Sequence, residues 1–356
     1  MDTAQALWSD LRQAGLVSGG APPAHEEETP WYVRTMLGVA GWIAALFLLG
    51  FVGAGFAFVI KSEAAMIAVG LCAIAGAYAI FRLVGRGAFL SQFGFAASVA
   101  GQALVVIGLA GTLKVEHAAF WLIVSALEAA LAIALPNFIH RVWSAYAAAT
   151  ALAVFLALSH AYFISTGLIS ALVLAAWLGE LDWASAGSTV RPIAYGLTLA
   201  LLQIAGFVAF GAADVGHLFG RAGSHQWLQP WMGEGLAAAV LVVAVYQLLQ
   251  RANIPPLRGD ALAALLASAL VGSASLKAPG LAAGLMILLL GFAGGNKVLT
   301  GLGFAALILY LSAYYYTLES TLLVKSAVLA ATGAVLLATR WVGLRWLAPE
   351  TEADHA

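Results

Sequence analysis

The sequence predicts an all-α fold, a polytopic transmembrane bundle of about twelve spans. Three observations predict it. Charged residues make up 9% of the 356-residue chain and hydrophobic residues 63%, whereas a soluble domain carries about 25% charged residues. A surface so poor in charge faces an apolar solvent, the lipid bilayer. The apolar residues also come in continuous runs broken by short polar turns, and mean hydropathy is +0.95. In hydrocarbon a spanning segment must satisfy its own backbone N–H and C=O groups, which leaves helices or a closed barrel. Continuous rather than alternating runs select helices.

Residues 1–30 read as a polar cytoplasmic tail. Within it, Thr3 to Ala14 has the spacing of a short amphipathic helix, with Leu7, Trp8 and Leu11 on one face, Asp10 and Arg12 on the other, and Gly15 as its stop. Such a helix packs on the protein or rests on the membrane surface. Ser18 to Thr29, with Gly19-Gly20, Pro22-Pro23 and Glu26-Glu27-Glu28, reads as a linker. The tail lacks the basic start, apolar core and cleavage site of a secretory signal, so no removal is expected.

Residues 31–346 form the expected transmembrane helical domain, and residues 347–356 a second cytoplasmic tail. The spans expected in the first half are Met36–Ile60, Ala64–Phe81, Gly94–Leu113, Ala118–Leu135, Val142–Leu158 and Tyr162–Leu178. The second half gives Ile193–Ala213, Gly235–Leu249, Ala261–Leu276, Gly280–Ala293, Val298–Tyr316 and Thr321–Ala338. Several fall short of the roughly 20 residues that a perpendicular crossing needs. The least defined turns are those at Ser159-His160 and at Lys277-Ala278-Pro279. Gly280-x-x-x-Gly284 and Gly291-x-x-x-Gly295 have the small-residue spacing that lets helices approach closely, although a chain with 38 glycines produces such spacings by chance.

Basic residues orient the bundle. With the N-terminus cytoplasmic and twelve spans, the cytoplasmic side holds Arg12, Arg34, Arg82, Arg86, Arg141, Arg191, Arg251, Arg258, Lys297, Arg340 and Arg345. The outer side holds only Lys61, Lys114, Arg221 and Lys277, and Lys325 lies within a span. That asymmetry sets both termini inside. Trp31, Tyr32, Trp143, Trp341 and Trp346 then belong to an inner aromatic belt, and Trp121 with Tyr314 to Tyr316 to an outer one.

Ionisable groups within a bilayer are costly and suggest function. Two fall inside spans: Glu128, near the middle of the fourth, and Lys325, near the outer end of the twelfth. The lysine stem can snorkel to the interface; the glutamate has no such escape, and is neutral or paired. Gln102 and Gln203 lie near mid-depth as well. Together these groups suit either a polar pathway or ordinary interhelical hydrogen bonding, the commoner use of polar side chains between helices. On the outer side, His217 and His225 share the loop Asp214 to Glu234, and Glu319 follows the eleventh span. Histidine and carboxylate bind zinc or shuttle protons, but these spacings match no zinc motif. No nucleotide-binding, metalloprotease or nucleophile-elbow motif is found, so no cofactor, no metal and no catalytic residue is expected. The lone Cys72 excludes an intrachain disulfide, and a net charge of -1 gives no footprint for nucleic acid.

Tyr314-Tyr315-Tyr316, Glu319 and Lys325-Ser326, followed by Gly333 and Arg340, form a distinctive closing segment. The opening pairs Trp8-Ser9-Asp10-Leu11 and Gly15-Leu16 with a glutamate-rich linker and Pro30-Trp31-Tyr32. With these features the chain resembles a bacterial membrane-protein family catalogued as a domain of unknown function, DUF4401. The resemblance implies an integral protein of the bacterial inner membrane and carries over no site residues. Three functions stay open: a secondary transporter or permease, the leading one; a non-enzymatic component that associates with another membrane protein; and an enzyme acting on a lipid-linked substrate at the outer face. Two sets of six spans suit the first; the scarcity of intramembrane polar groups suits the second.

Overall fold

The computed structural model describes residues 3–15, 61–83, 88–182, 187–210 and 231–317, with separate positions between 32 and 50 and at 323 and 326. Every element among the described residues is a helix. In chain order they are α1 (Thr3–Gln13), α2 (Glu63–Leu83), α3 (Ala88–Leu113), α4 (Ala118–Ala134), α5 (Phe138–Leu158) and α6 (Tyr162–Asp182). There follow α7 (Gly187–Ala209), α8 (Trp231–Arg251), α9 (Gly259–Ser275), α10 (Leu281–Ala293) and α11 (Lys297–Thr317). Ten of the twelve expected spans fall on these residues, and each is a helix. The first is described only at separate positions and the twelfth only at Leu323 and Ser326, so the rest of both lies outside the described residues.

Among the described residues, six helices are long and apolar enough to cross a membrane: Glu63–Arg82, Phe89–Leu113, Phe138–Leu158, Gly187–Ala209, Trp231–Arg251 and Lys297–Tyr316. Four apolar stretches are shorter: Ala118–Ala134, Ile164–Glu180, Gly259–Ser275 and Leu281–Ala293. These are the helices of a membrane protein. Several helices outrun the apolar runs that announce them, because polar end residues stay helical. Gly235–Leu249, for example, extends to Trp231–Arg251.

The chain divides into two compact units within α3, Met1–Val105 and Val106–Ala356. In the first, α1 is amphipathic as expected: Trp8 and Leu11 are half-buried, Ser9, Asp10 and Arg12 are exposed, and the helix ends at Gln13, two residues before Gly15 in the left-handed region. In the same unit α2 meets α3 at a glycine pair. A Cβ on Gly70 would lie 2.6 Å from the carbonyl oxygen of Gly101, and one on Gly101 2.6 Å from that of Gly70. Only glycine lets two backbones come this close.

The second unit is a bundle in which α4 packs on α5, α5 on α7, α7 on α6, α6 on α8, α8 on α9 and α10, and α10 on α11. Its core combines small and large side chains, with Ala194, Ala200, Ala205, Ala244 and Ala282 beside Ile169, Leu201, Leu241, Met286, Leu299 and Tyr310. With alanine at the crossings the helices approach closely, and dispersion between them replaces the hydrophobic driving force that is lacking in lipid.

Successive helices run antiparallel, so side chains from alternate helix ends meet. At one end the Arg141 guanidinium donates to the Ser188 carbonyl (2.9 Å) and that of Arg251 to the Leu178 carbonyl (3.0 Å). There too Arg191 pairs with Glu180 at 3.5 Å. In the same region the Tyr195 hydroxyl and the Asn296 amide are hydrogen-bonded, and Asn296 Oδ1 accepts from the Leu299 N–H at the start of α11. The opposite end contains a buried carboxylate, Glu234.

Candidate functional site

A chain leaving α9 at Ser275 must turn before α10 can begin. Lys277, Ala278 and Pro279 make the turn, and Gly280 completes it with φ +89. The first N–H groups of a helix have no partner within it, and here they point into the bundle rather than into water. Two neighbouring helices supply acceptors. Glu234, in the first turn of α8, accepts from the Gly280 N–H at 3.1 Å through Oε2. The Ser275 hydroxyl, at the end of α9, accepts from the Ala282 N–H at 3.4 Å and donates to the same Oε2 at 2.6 Å. Glu234 thus caps α10 from outside, with its carboxyl group placed where a helix dipole is positive.

The site is sealed. Glu234 is 2% exposed, and Ser275 and Ala282 are fully buried. The Tyr310 ring of α11 lies against Gly280, where an added Cβ would come within 2.6 Å of Cδ2. The Tyr310 hydroxyl is committed elsewhere, donating to the Leu202 carbonyl of α7 at 2.7 Å. Tyr162, in the first turn of α6, shares the electrostatic environment of Glu234, as Tyr310 does. The second carboxylate oxygen, Oε1, has no hydrogen-bond partner among the described residues. A buried carboxylate with donors on one oxygen and none on the other is the chemistry this end of the bundle offers.

The sequence-derived candidates lie elsewhere. Glu128, 3% exposed on α4, faces α5, where the Ser144 hydroxyl donates to it, and its Oε2 has no hydrogen-bond partner among the described residues. One turn earlier on α4, the Ser125 hydroxyl donates to the Ala148 carbonyl at 2.9 Å. Gln203 on α7 accepts from Thr150 on α5 at 3.4 Å. Ser144 and Thr150 are six positions apart on α5, about 9 Å along the helix, so the two contacts are separate bridges. Gln102 is buried in the first unit, on α3. Lys325, Glu319, His217 and His225 lie outside the described residues. No group of metal-binding side chains occurs among the described residues.

The sequence places Glu234 at the end of the outer loop Asp214 to Glu234, directly before an apolar run. The one available signal was the adjacent turn, Lys277-Ala278-Pro279-Gly280, which forces a helix start between two apolar segments.

A family model described as a domain of unknown function, DUF4401, matches residues 30–346, which is most of the chain. The chain belongs to the DUF4401 family. The match begins after the amphipathic helix, so the Trp8 to Leu16 pattern lies ahead of the DUF4401 region and the membrane helices carry the membership. All of the Glu234 site lies within it. No curated protein and no solved structure matches the chain.

Proposed function

We propose that the protein is a permease-like carrier of the bacterial inner membrane, with about twelve spans, both termini cytoplasmic, and the α9–α10 break as its working end. One observation carries this reading: α10 starts inside the protein with its free N–H groups held by Glu234 and Ser275. At about 1.5 Å per residue α10 is roughly 20 Å long, shorter than hydrocarbon of about 30 Å, so a span built on it begins or ends within the membrane. Carriers place substrates and coupling ions where helix termini offer partial charge inside the membrane. The clustering of Arg141, Arg191 and Arg251 at the opposite end supports a cytoplasmic assignment for that end.

The test is access. In a Cys72→Ala background, Ser275→Cys and Lys277→Cys are treated with a membrane-impermeant thiol reagent in vesicles of each orientation. A carrier must open this end, so Ser275→Cys should label from the side on which Lys277→Cys labels, more slowly than that exposed control. Labelling of Lys277→Cys alone, with Ser275→Cys inert from both sides, would make the break sealed packing. The second reading, a structural component that associates with another membrane protein, would then take over.

A further inference from the structure

We propose that Glu234 is a reversible proton-binding site, with the proton carried on Oε1. Its use in transport rests on the carrier reading above; the protonation itself does not, and the two are tested apart.

The two oxygens of this carboxyl are inequivalent. Oε2 accepts from the Ser275 hydroxyl and the Gly280 N–H at the start of α10, while Oε1 has no hydrogen-bond partner among the described residues. A proton therefore goes to Oε1, because Oε2 has its lone pairs engaged by donors. The neutral acid keeps Oε2 as a carbonyl acceptor, so both hydrogen bonds survive protonation. The ionised form keeps the same bonds and gains the positive end of the α10 dipole. Apolar burial favours the neutral state and the helix start favours the charged one. One geometry accommodates both, so exchange needs no rearrangement of the cap.

The size of the site selects the ligand. Tyr310 occupies the space above Gly280, and Ser275, Ala282 and Glu234 are buried. A proton adds no volume, whereas a metal cation needs several oxygen ligands around it. Among the described residues the titratable neighbours are few. Tyr162 on α6 and Tyr310 on α11 lie within electrostatic reach of Glu234. The nearby part of α7 contributes the Leu202 carbonyl, to which Tyr310 is bonded. α10 contains no titratable side chain, Asp260 lies at the far end of α9, and Lys277 in the turn is exposed. Among the described residues no cation contributes to the electrostatics of Glu234 in place of a proton.

The experiment is infrared difference spectroscopy on the purified full chain as pH is stepped, followed by proteoliposomes containing a trapped pH dye. A pH-dependent protonated-carboxyl C=O band should be present, absent in Glu234→Gln, and retained in Glu128→Gln. Glutamine keeps an oxygen acceptor for Ser275 and Gly280, so the cap survives. Should that variant fail to fold, Ser275→Ala serves instead: loss of a donor to Oε2 should shift the band upward in frequency. A band indifferent to both Glu234→Gln and Ser275→Ala overturns the proposal. If the band behaves as expected but an imposed pH gradient drives no proton flux, protonation stands and the carrier reading falls. If flux persists undiminished in Glu234→Gln while the band is unaffected, the carrier reading stands and this proposal falls.

Discussion

At the scale of single residues, two glycines separate backbone strain from crowding. Both Gly280 (φ +89) and Gly295 (φ +62) adopt a left-handed backbone. A side chain there costs about 1–2 kcal/mol from conformation alone. Gly295 has nothing within 4 Å of an added Cβ, whereas at Gly280 that atom would strike the Tyr310 ring at 2.6 Å. Gly295→Ala should therefore cost only the conformational amount. Gly280→Ala should cost about 2–4 kcal/mol, since overpacking adds its own penalty. It should also displace the Gly280 N–H from Glu234. Thermal unfolding in detergent ranks the two variants, and equal losses would mean that Tyr310 yields freely and does not seal the site. Trimming the ring with Tyr310→Leu should recover the crowding part of the Gly280→Ala loss and leave the backbone part.

At the scale of elements, the helices were legible and their contacts were not. Apolar runs mark helices in lipid because no other open backbone can exist there; this is why α2 to α11 fall where hydropathy puts them. Contacts depend on which face turns inward, and an all-apolar helix gives no periodic signal for that. The glycine spacings show the difference. Gly280-x-x-x-Gly284 and Gly291-x-x-x-Gly295 each contain one glycine that serves a turn, Gly280 and Gly295. The pair that α10 presents to α11 is Gly284 with Gly291, against Leu307 and Thr300. These are seven positions apart, two helical turns on one face. Glu234 escaped for the same reason: burial at a helix start is decided by what packs over it. Glu128 was legible because a carboxylate in mid-span has only protein to face. The close approach of α10 and α11 gives a test. A Cβ on Gly291 would collide with the Thr300 backbone nitrogen, while one on Gly301, within α11, meets nothing within 4 Å. Gly291→Ala should destabilise by about 1–3 kcal/mol through overpacking. Gly301→Ala should be neutral or stabilising by up to about 1 kcal/mol, since alanine favours the helix. Chemical denaturation in mixed micelles compares them, and the reverse order would contradict the packed α10–α11 face.

At the scale of the whole molecule, the distribution of charge predicts an orientation. The antiparallel bundle brings Arg141, Arg191 and Arg251 to one end through bonds to Ser188, Glu180 and Leu178. Tyr162, Glu234 and the turn containing Lys277 lie at the other. Basic residues resist translocation, so the arginine end should remain cytoplasmic and the Glu234 end should face outward. A reporter active only in the cytoplasm, placed in the α8–α9 connection at Asn253, should give signal. A reporter active only outside, fused at Gly223 between α7 and α8, should also give signal. Fusion at Ala356 extends the test to the C-terminus, where an even number of spans demands a cytoplasmic signal. Cytoplasmic signal at Asn253 but not at Ala356 would preserve the bundle's orientation and require an odd number of spans after α8. Silence at both Asn253 and Gly223 would invert the molecule and put Glu234 at the cytoplasmic end. The proton site would keep its chemistry, but it would exchange with the cytoplasm first, and Ser275→Cys would label in the opposite vesicles.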